Sequence, residues 1–321
     1  MTRPSAVPPP VTAVLDASSR WLPARLGQVE ELLRSQSAGF GDVLAADAEA
    51  TLTAGGKRLR PLLVLLCAGA DGGEEAVRAA AAIELVHMAT LVHDDVLDAA
   101  PLRRGVPTVV ASSGAARAVA VGDLLFSRAF ALLAQHHDTD AVALLAGASV
   151  SLAQGELAQR QDAFEVTISE RRYLERCRLK TATLFRCACL MGRESAALGE
   201  FGAEIGLAFQ LLDDVLDVSG PAERTGKARG TDLLDGTVTL PLILAAGRDP
   251  ELRQVDLRGL DPESAERLCD RIAATGVLDQ VRDRALEMVA AAKRKLSSDD
   301  FDAEQRQLLG LVADGVVQRY S

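Results

Sequence analysis

Two nearly identical acidic segments constrain this chain more than any other feature of its sequence. Each carries the pattern Asp-Asp-x-x-Asp inside an apolar run, at Asp94, Asp95 and Asp98 and again at Asp213, Asp214 and Asp217. In a helix the first and third carboxylates of such a pattern lie on one face, about one turn apart. Since aspartate is a poor helix former and an uncompensated buried charge is costly, carboxylates in this setting need a reason.

Hard divalent cations are the reason that this spacing suggests, because they take oxygen ligands. One such segment is equally typical of a solvated helix end that carries acids by chance, so a single copy leaves both explanations open. The second copy, 119 residues later (213 − 94 = 119), makes chance a much weaker explanation. Two carboxylate faces that meet across a helical bundle would form a site for several metal ions.

The composition favours closely packed helices and argues against nucleic acid as a partner. Apolar residues make up 48% of the chain but aromatic residues only 3%, so the core must consist mainly of alanine, leucine and valine. A chain of 321 residues buries on the order of three quarters of its unfolded surface, in one large domain or two. The formal net charge of −10 repels polyanions, so an anionic substrate must be held by local basic residues or metal ions.

The cysteine and hydropathy patterns predict a cytoplasmic protein without a membrane span. The five cysteines form neither a disulfide framework nor a zinc pattern, which is typical of buried thiols in a reducing compartment. Uninterrupted apolar runs, such as 62–66 and 141–146, are shorter than the roughly 18 residues that a span needs. Prolines interrupt the N-terminal segment, so we expect no signal sequence there.

Helical periodicity predicts an all-α fold with one domain. We expect residues 1–20 to form a flexible N-terminal segment and residues 21–321 to form the domain. The main predicted helices cover 74–99, 115–134, 139–162, 169–191 and 195–218. No strand pattern is visible, and Pro101–Pro107 is predicted to be a basic loop. The expected architecture is a bundle of roughly a dozen helices around a central cavity.

Basic residues beside the acidic segments indicate an anionic ligand that metal ions also bind, and a diphosphate fits. Gly55–Pro61 reads GGKRLRP and places three cations at a glycine turn before a helix, a favourable setting for phosphate. Arg103 and Arg104 closely follow the first acidic segment, and Lys180 and Lys227 are further candidates. Each of these residues alone is more often a solvated surface charge; only their position favours binding.

The spacing of the two histidines in the first acidic segment does not favour a zinc site. His87 and His93 lie six residues apart, whereas zinc would favour i, i+4 spacing or a cysteine partner. His87 is interpreted as a hydrogen-bond donor to an anion. For His93, a buried imidazole that is hydrogen-bonded to the backbone or to a carboxylate is an equally good interpretation.

The ordered motifs of this chain resemble those of the trans-isoprenyl diphosphate synthases. The matching segments are GGKRLRP, ELVHMATLVHDDVLD, LRRGVPT, VGDLLF, QGE, LKTATLF, FQLLDDVLD and GKARGTDLLDGxxTLPLI. The resemblance is specific, because both aspartate-rich motifs and the intervening basic motifs occur in the family's order. It implies an all-α homodimer that joins isopentenyl diphosphate to an allylic diphosphate, with loss of a proton.

The resemblance also implies a role for each motif. About three Mg²⁺ ions per active site would be carried by Asp94, Asp98 and Asp213, supported by Asp95, Asp214 and Asp217. Isopentenyl diphosphate would be held by Lys57, Arg60, His87 and Arg104. The allylic diphosphate would be held by Arg103, Lys180 and Lys227. Lys180, Thr181 and Gln210 would take part in catalysis, and the released diphosphate is the expected proton acceptor.

Two positions depart from the family pattern. Many members carry lysine after the glycine of Asp-Leu-x-x-Gly, and this chain has Thr237 after Gly236. One diphosphate contact is therefore missing or supplied elsewhere. The surroundings of Ser113-Gly114 also lack the aromatic residue and the asparagine that relatives often carry there. Neither departure affects the predicted metal ligands.

Product length is predicted by analogy with the family. Ala89 and Thr90 lie one helical turn before Asp94, with Val86 a turn deeper, along the face where the growing chain is expected to run. Short-chain relatives carry a bulky aromatic residue there, so small residues predict a long product of about thirty to fifty carbons. Phe126 and Phe130 of the neighbouring helix are a second candidate for the floor of this space, so geranylgeranyl diphosphate stays an alternative product.

Three rival functions are weaker on the same residues. A class I terpene cyclase or a head-to-head condensing enzyme of the squalene type would lack the set Lys57, Arg60 and Arg104 and would not usually repeat the motif. A non-catalytic subunit of a heterodimeric synthase would lose aspartates or basic residues. Both sets are intact in this sequence.

Overall fold

The chain is all-α, as predicted, apart from one short pair of strands. A computed structural model describes residues 9–18, 20–38, 41–53, 56, 58–103, 105–220, 229–297 and 300–318. Its first helices are α1 (Pro9–Ala17), α2 (Leu22–Ser37), α3 (Gly41–Thr53), α4 (Leu59–Ala68), α5 (Gly73–Leu97), α6 (Val109–Ser113), α7 (Ala115–Ala134) and α8 (Thr139–Gln161).

The second half of the chain continues in helices. They are α9 (Glu170–Cys177), a π-helical turn (Arg178–Ala182), α10 (Thr183–Gly192), α11 (Ala196–Ser219), α12 (Thr231–Leu234), α13 (Leu240–Arg248), a 3₁₀ turn (Leu252–Gln254), α14 (Pro262–Ala274), α15 (Val277–Lys295) and α16 (Ala303–Gln318). The predicted boundaries agree within about two residues, because caps such as Ser169, which accepts from the Arg172 N–H at 3.2 Å, mark the ends.

The expectation of no strands was wrong between Pro101 and Pro107. Strands β1 (Leu102–Arg103) and β2 (Val106–Pro107) pair antiparallel, with Leu102 opposite Pro107 and Arg103 opposite Val106. Gly105 has φ of +77°, which glycine adopts without strain. Strands of two residues are too short to show the period-2 alternation by which a sequence reveals a strand.

The contacts within the chain divide it into two compact units. Unit 1 contains residues 1–149, 187–199 and 297–315, and unit 2 contains residues 150–186, 200–296 and 316–321. The single domain expected over residues 21–321 stays a prediction, as does the flexibility of residues 1–20. Within that N-terminal segment, residues Pro9–Ala17 form α1.

Unit 1 is organised around α5. The alanine run Ala79–Ala82 is almost fully buried and lets neighbouring helices approach closely. Gly122 of α7 meets α5 at His93, since a Cβ at Gly122 would lie only 2.1 Å from His93 Nε2. His93 is half-buried, with Nε2 3.4 Å from the Val119 carbonyl oxygen and 3.5 Å from an Asp123 carboxylate oxygen. This environment agrees with the interpretation of His93 as an imidazole that is hydrogen-bonded to the backbone or to a carboxylate.

Two helices correct the expectation that no segment is long and apolar enough to cross a membrane. By length and composition, both α5 and α8 qualify among the described residues, because hydropathy averaged over a window tolerates interruptions that end an apolar run. For α5 the window is 72% buried, as in the core helix of unit 1. For α8 it is only 22% buried, so most residues of that window are at least partly exposed. Buried core helices commonly pass the same criterion.

Unit 2 surrounds the C-terminal part of α11 with α9 and the later helices. Phe201 is fully buried, and the rings of Phe185 and Phe209 lie 5.6 Å apart. Arg176, only 3% exposed, donates to the Val238 carbonyl oxygen at 2.6 Å and joins α9 to the segment before α13. All five cysteines of the chain are buried, as the sequence predicted.

Candidate active site

The first aspartate motif lies at the C-terminal end of α5 in unit 1. Asp94 is half-buried and Asp98, the C-cap, is exposed. Asp95 is buried at 5% exposure, and Arg103 donates to it through Nε at 2.8 Å and Nη2 at 2.7 Å. The middle aspartate therefore anchors strand β1 to α5 through a charged hydrogen-bonded pair.

A pocket with about 660 Å³ of empty space, partly open to solvent, lies beside this motif in unit 1. His87, Asp95 and Arg103 line it together, although the family resemblance implies a different ligand for each of them. Its apolar wall includes Met88 and Val92 of α5. The pocket thus combines charged groups with an apolar surface, as a ligand with an anionic head and a hydrocarbon tail requires.

The cations of the GGKRLRP segment have different roles. Arg58 turns inward, where Nη1 lies 2.9 Å from Glu84 and Nε lies 2.6 Å from Glu30. Burial lowers the pKa of Arg58, but the two carboxylates outweigh burial and raise it overall. Burial lowers the pKa of Arg60 to about 10, so Arg60 still carries its charge at neutral pH. Arg58 is a structural cation that the sequence analysis did not separate from its neighbours.

The expected chain-length residues lie on the buried face of α5. Val86 and Ala89 are fully buried, and Thr90 is half-buried, with its hydroxyl donating to the His87 carbonyl oxygen at 2.8 Å. On α7, also in unit 1, the half-buried rings of Phe126 and Phe130 lie 5.3 Å apart.

Lys180 and Thr181 lie together on the π-helical turn of unit 2. Lys180 Nζ forms an ion pair at 2.5 Å with Glu156 of α8, and both groups are partly buried. Gly155 permits this approach, since a Cβ there would lie 2.6 Å from the Lys180 backbone nitrogen. A π-helical turn inserts an extra residue into a helix and is frequent at functional sites.

A chain of hydrogen bonds joins this turn to the second aspartate motif. The Thr181 hydroxyl donates to Gln210 Oε1 at 2.7 Å, and Gln210 Nε2 donates to Asp214 Oδ1 at 2.7 Å. The Tyr173 hydroxyl donates to the other oxygen, Asp214 Oδ2, at 2.5 Å. Thr181 and Gln210, both predicted from the sequence, are therefore in direct contact, and each oxygen of Asp214 accepts a hydrogen bond from within the chain.

The carboxylates of the second motif repel one another in a buried setting. Burial raises the pKa of Asp214 to about 8, and repulsion by Asp232 adds to this while the Tyr173 and Gln210 hydrogen bonds oppose it. Burial and Asp232 likewise raise the pKa of Asp217 to about 9. Asp213 is exposed. Burial and mutual repulsion thus both oppose the ionisation of Asp214 and Asp217.

The donor set fits a hard divalent cation such as Mg²⁺. Within the described ranges, no three histidine, cysteine, aspartate or glutamate side chains are grouped so as to hold a metal ion. Both motifs nevertheless offer carboxylate oxygens, the ligands that Mg²⁺ takes. The raised pKa values of Asp214 and Asp217 are also the response expected where a cation normally supplies charge.

Three expected site residues, Lys57, Arg104 and Lys227, lie outside the described part of the chain. Three residues of the site, Tyr173, Glu156 and Asp232, had no role assigned from the sequence. Tyr173 lies in the polar segment ERRYLERC, so the sequence gives no sign that its hydroxyl is buried and needs a partner.

Comparison with known proteins is consistent with this geometry. A family described as polyprenyl synthetase matches residues 42–275. The chain is 38% identical over 275 residues to heptaprenyl diphosphate synthase component 2 of Geobacillus stearothermophilus, covering 83% of this chain and 80% of that protein. It is 36% identical over 307 residues to a geranylgeranyl pyrophosphate synthase of Geoglobus acetivorans, covering 91% and 95%.

A solved structure extends the likeness to the whole chain. The polyprenyl synthase of Caulobacter crescentus CB15, complexed with calcium and isoprenyl diphosphate, superposes with a TM-score of 0.90 at 35% identity. The superposition covers 99% of this chain and 100% of that one. The family match, the identities and the shared fold show that this chain belongs to the polyprenyl synthetase family and is a prenyltransferase.

Proposed function

We propose that this prenyltransferase lengthens an allylic diphosphate by head-to-tail condensation with isopentenyl diphosphate and makes a long-chain product. The carbon–oxygen bond of the allylic diphosphate breaks, and its electron pair leaves with the diphosphate. The alkene of isopentenyl diphosphate forms a carbon–carbon bond with the allylic cation, and a proton is lost to restore the alkene. The observation that carries this proposal is the meeting of Lys180, Thr181, Gln210 and Asp214 around one turn.

The basic residues of the chain would hold the two diphosphates. In unit 1, Arg60 and His87, with Lys57 and Arg104, would bind isopentenyl diphosphate, and the pocket lined by His87 and Arg103 supports this assignment. Arg103, Lys180 and Lys227 would bind the allylic diphosphate. Cations aimed at the departing oxygens stabilise negative charge as it develops in the transition state.

Mg²⁺ would be held by the aspartates of both motifs, and when bound it would neutralise the leaving diphosphate. About three ions are expected, by analogy with the family. The chain supplies oxygen ligands at Asp94, Asp98, Asp213 and Asp217, and the partly neutralised Asp95 supports them through Arg103. The apolar walls of each unit exclude water, which would otherwise quench the allylic cation.

The proposed product has about thirty to fifty carbons, because the wall expected to stop the growing chain is built of small residues. Ala89 is fully buried and Thr90 half-buried, and neither side chain is larger than threonine. The alternative is geranylgeranyl diphosphate, which the paired rings of Phe126 and Phe130 favour. Curated relatives carry names of both product classes.

The decisive experiment is product analysis by mass spectrometry after incubation of the purified chain with isopentenyl diphosphate, an allylic primer and Mg²⁺. We expect a long polyprenyl product from the native chain and a shorter one from Ala89→Phe. Thr90→Phe is the second variant, since its half-buried position tolerates a ring better. Ala134→Phe adds the same ring at an exposed position and serves as control. An unchanged length in both test variants would reject this wall, and a C20 native product would support the alternative.

We also propose that the active form is a homodimer that uses the exposed surface of α8. Val150 and Leu157 lie two turns apart on the same face of this helix and are 59% and 64% exposed, so they offer one apolar surface to a partner. A dimer in light scattering that dissociates in Leu157→Glu would support this. The relative named as component 2 of a synthase makes a heteromer the competing outcome, recognised by a monomer that is inactive alone. The five buried free thiols support a cytoplasmic location.

A further inference from the structure

We propose that Tyr173 is a positioning residue for the condensation, which acts through Asp214 and Gln210 to fix Thr181 and the turn that carries Lys180. The inference rests on the proposed function, since it concerns how the same site is held in order. It assigns a task to a buried hydroxyl for which packing alone gives no reason.

The first step is the environment of the tyrosine itself. Tyr173 lies on α9 and is 1% exposed, so its hydroxyl has no solvent partner. It donates to Asp214 Oδ2 at 2.5 Å, and Asp214 is itself only 2% exposed. A hydrogen bond to a carboxylate in such a setting is strong, because neither group can exchange its partner for water.

The second step is the direction of the hydrogen bonds. The amide NH₂ of Gln210 donates to Asp214 Oδ1 at 2.7 Å, so this end of the amide faces the carboxyl group. The amide carbonyl of Gln210 then points to Thr181, whose hydroxyl must donate. Tyr173 and Gln210 each donate to one oxygen of Asp214, so this carboxyl group is the junction of the network.

The third step is the geometry of attachment. Tyr173 and Thr181 lie at the two ends of one continuous stretch, α9 followed by the π-helical turn. Their partners Asp214 and Gln210 lie one turn apart on α11. Two points of attachment on each side prevent the stretch from rotating or sliding on α11. A π-helical turn especially needs such support, because its geometry is less favourable than that of an α-helix.

The consequence concerns Lys180, which is next to Thr181 on the turn and reaches Glu156 at 2.5 Å. When the Tyr173 hydroxyl is removed, Asp214 keeps one hydrogen-bond donor and is free to rotate. Gln210 and Thr181 then lose their fixed orientation, and the position of Lys180 becomes less defined. Misplacement of a group that contacts the diphosphate lowers the rate of the chemical step more than it weakens substrate binding.

The test is a double-mutant cycle on the full-length chain. Tyr173→Phe removes only the hydroxyl, and we expect kcat to fall at least about tenfold while KM for both substrates changes by less than about threefold. In the background of Thr181→Val, which already breaks the network, Tyr173→Phe should have little further effect. Leu174→Val is the matched control, a buried residue of the same helix outside the network, and we expect it to keep the native kcat.

The possible results are distinct. Native kcat in Tyr173→Phe, or losses that simply multiply in the double mutant, would overturn the inference. If Tyr173→Phe does not fold, Asp214→Asn replaces it in the same cycle with Thr181→Val. A loss of metal binding would multiply with the effect of Thr181→Val, whereas a loss of the network would not, so multiplied losses would overturn the inference equally. A native chain without any condensation activity would instead contradict the proposed function, since every comparison starts from native activity.

Discussion

Substitution of Gly155 by alanine should disable the enzyme at a modest cost in stability. The added Cβ would lie 2.6 Å from the Lys180 nitrogen and 2.9 Å from both the Leu179 carbonyl carbon and the Lys180 Cα. Ordinary contacts between such atoms are about 3.5 Å, so α8 and the π-helical turn would have to separate by roughly 1 Å. All three atoms belong to the backbone, so no side-chain rotation can relieve the overlap.

The magnitude follows from this displacement. Overpacking of this kind costs about 1–3 kcal/mol, and the better helix propensity of alanine returns about 1 kcal/mol, so the net loss is about 0–2 kcal/mol. A shift of about 1 Å in a group that positions substrate lowers kcat by about 100-fold. The loss of activity should therefore far exceed what the fraction of unfolded protein would explain.

The assay combines kcat at saturating substrates with thermal unfolding. Gly27→Ala is the control, since Gly27 lies in α2 with open space around its Cα. That variant should gain up to about 1 kcal/mol of stability with unchanged activity. Native kcat in Gly155→Ala would refute the argument that the close approach of α8 places Lys180.

Two further predictions concern charge. Asp214 and Asp217 have raised pKa values in the folded state, about 8 and 9, so the metal-free chain should lose stability as pH rises from about 4 towards 9. The gain in Tm on adding Mg²⁺ should therefore be larger at pH 8.5 than at pH 6.5. Equal gains at the two pH values would contradict this prediction. Glu84→Gln should lower the free energy of unfolding in urea by about 3 kcal/mol, because it removes the more buried partner of Arg58, whereas Glu31→Gln at an exposed site of α2 should change it by less than about 0.5 kcal/mol.

The linear sequence contains most of the information about where helices lie, because the signals are local. Apolar residues at helical spacing and caps such as Ser169 depend on neighbours within four residues, so the boundaries of α7, α8 and α11 could be predicted. The repeated aspartate pattern is equally local. Its spacing alone placed carboxylates of each motif one turn apart, and from that the metal-dependent chemistry could be inferred.

Tertiary structure decided which of several similar side chains take part in the chemistry. Arg58 and Arg60 look alike in the sequence, yet Arg58 forms ion pairs with Glu84 and Glu30. Likewise the middle aspartates, Asp95 and Asp214, each accept a hydrogen bond from another element, from Arg103 and Tyr173 respectively. These pairings join residues eight to forty-one positions apart, and only burial, which removes water as the competing partner, makes them obligatory.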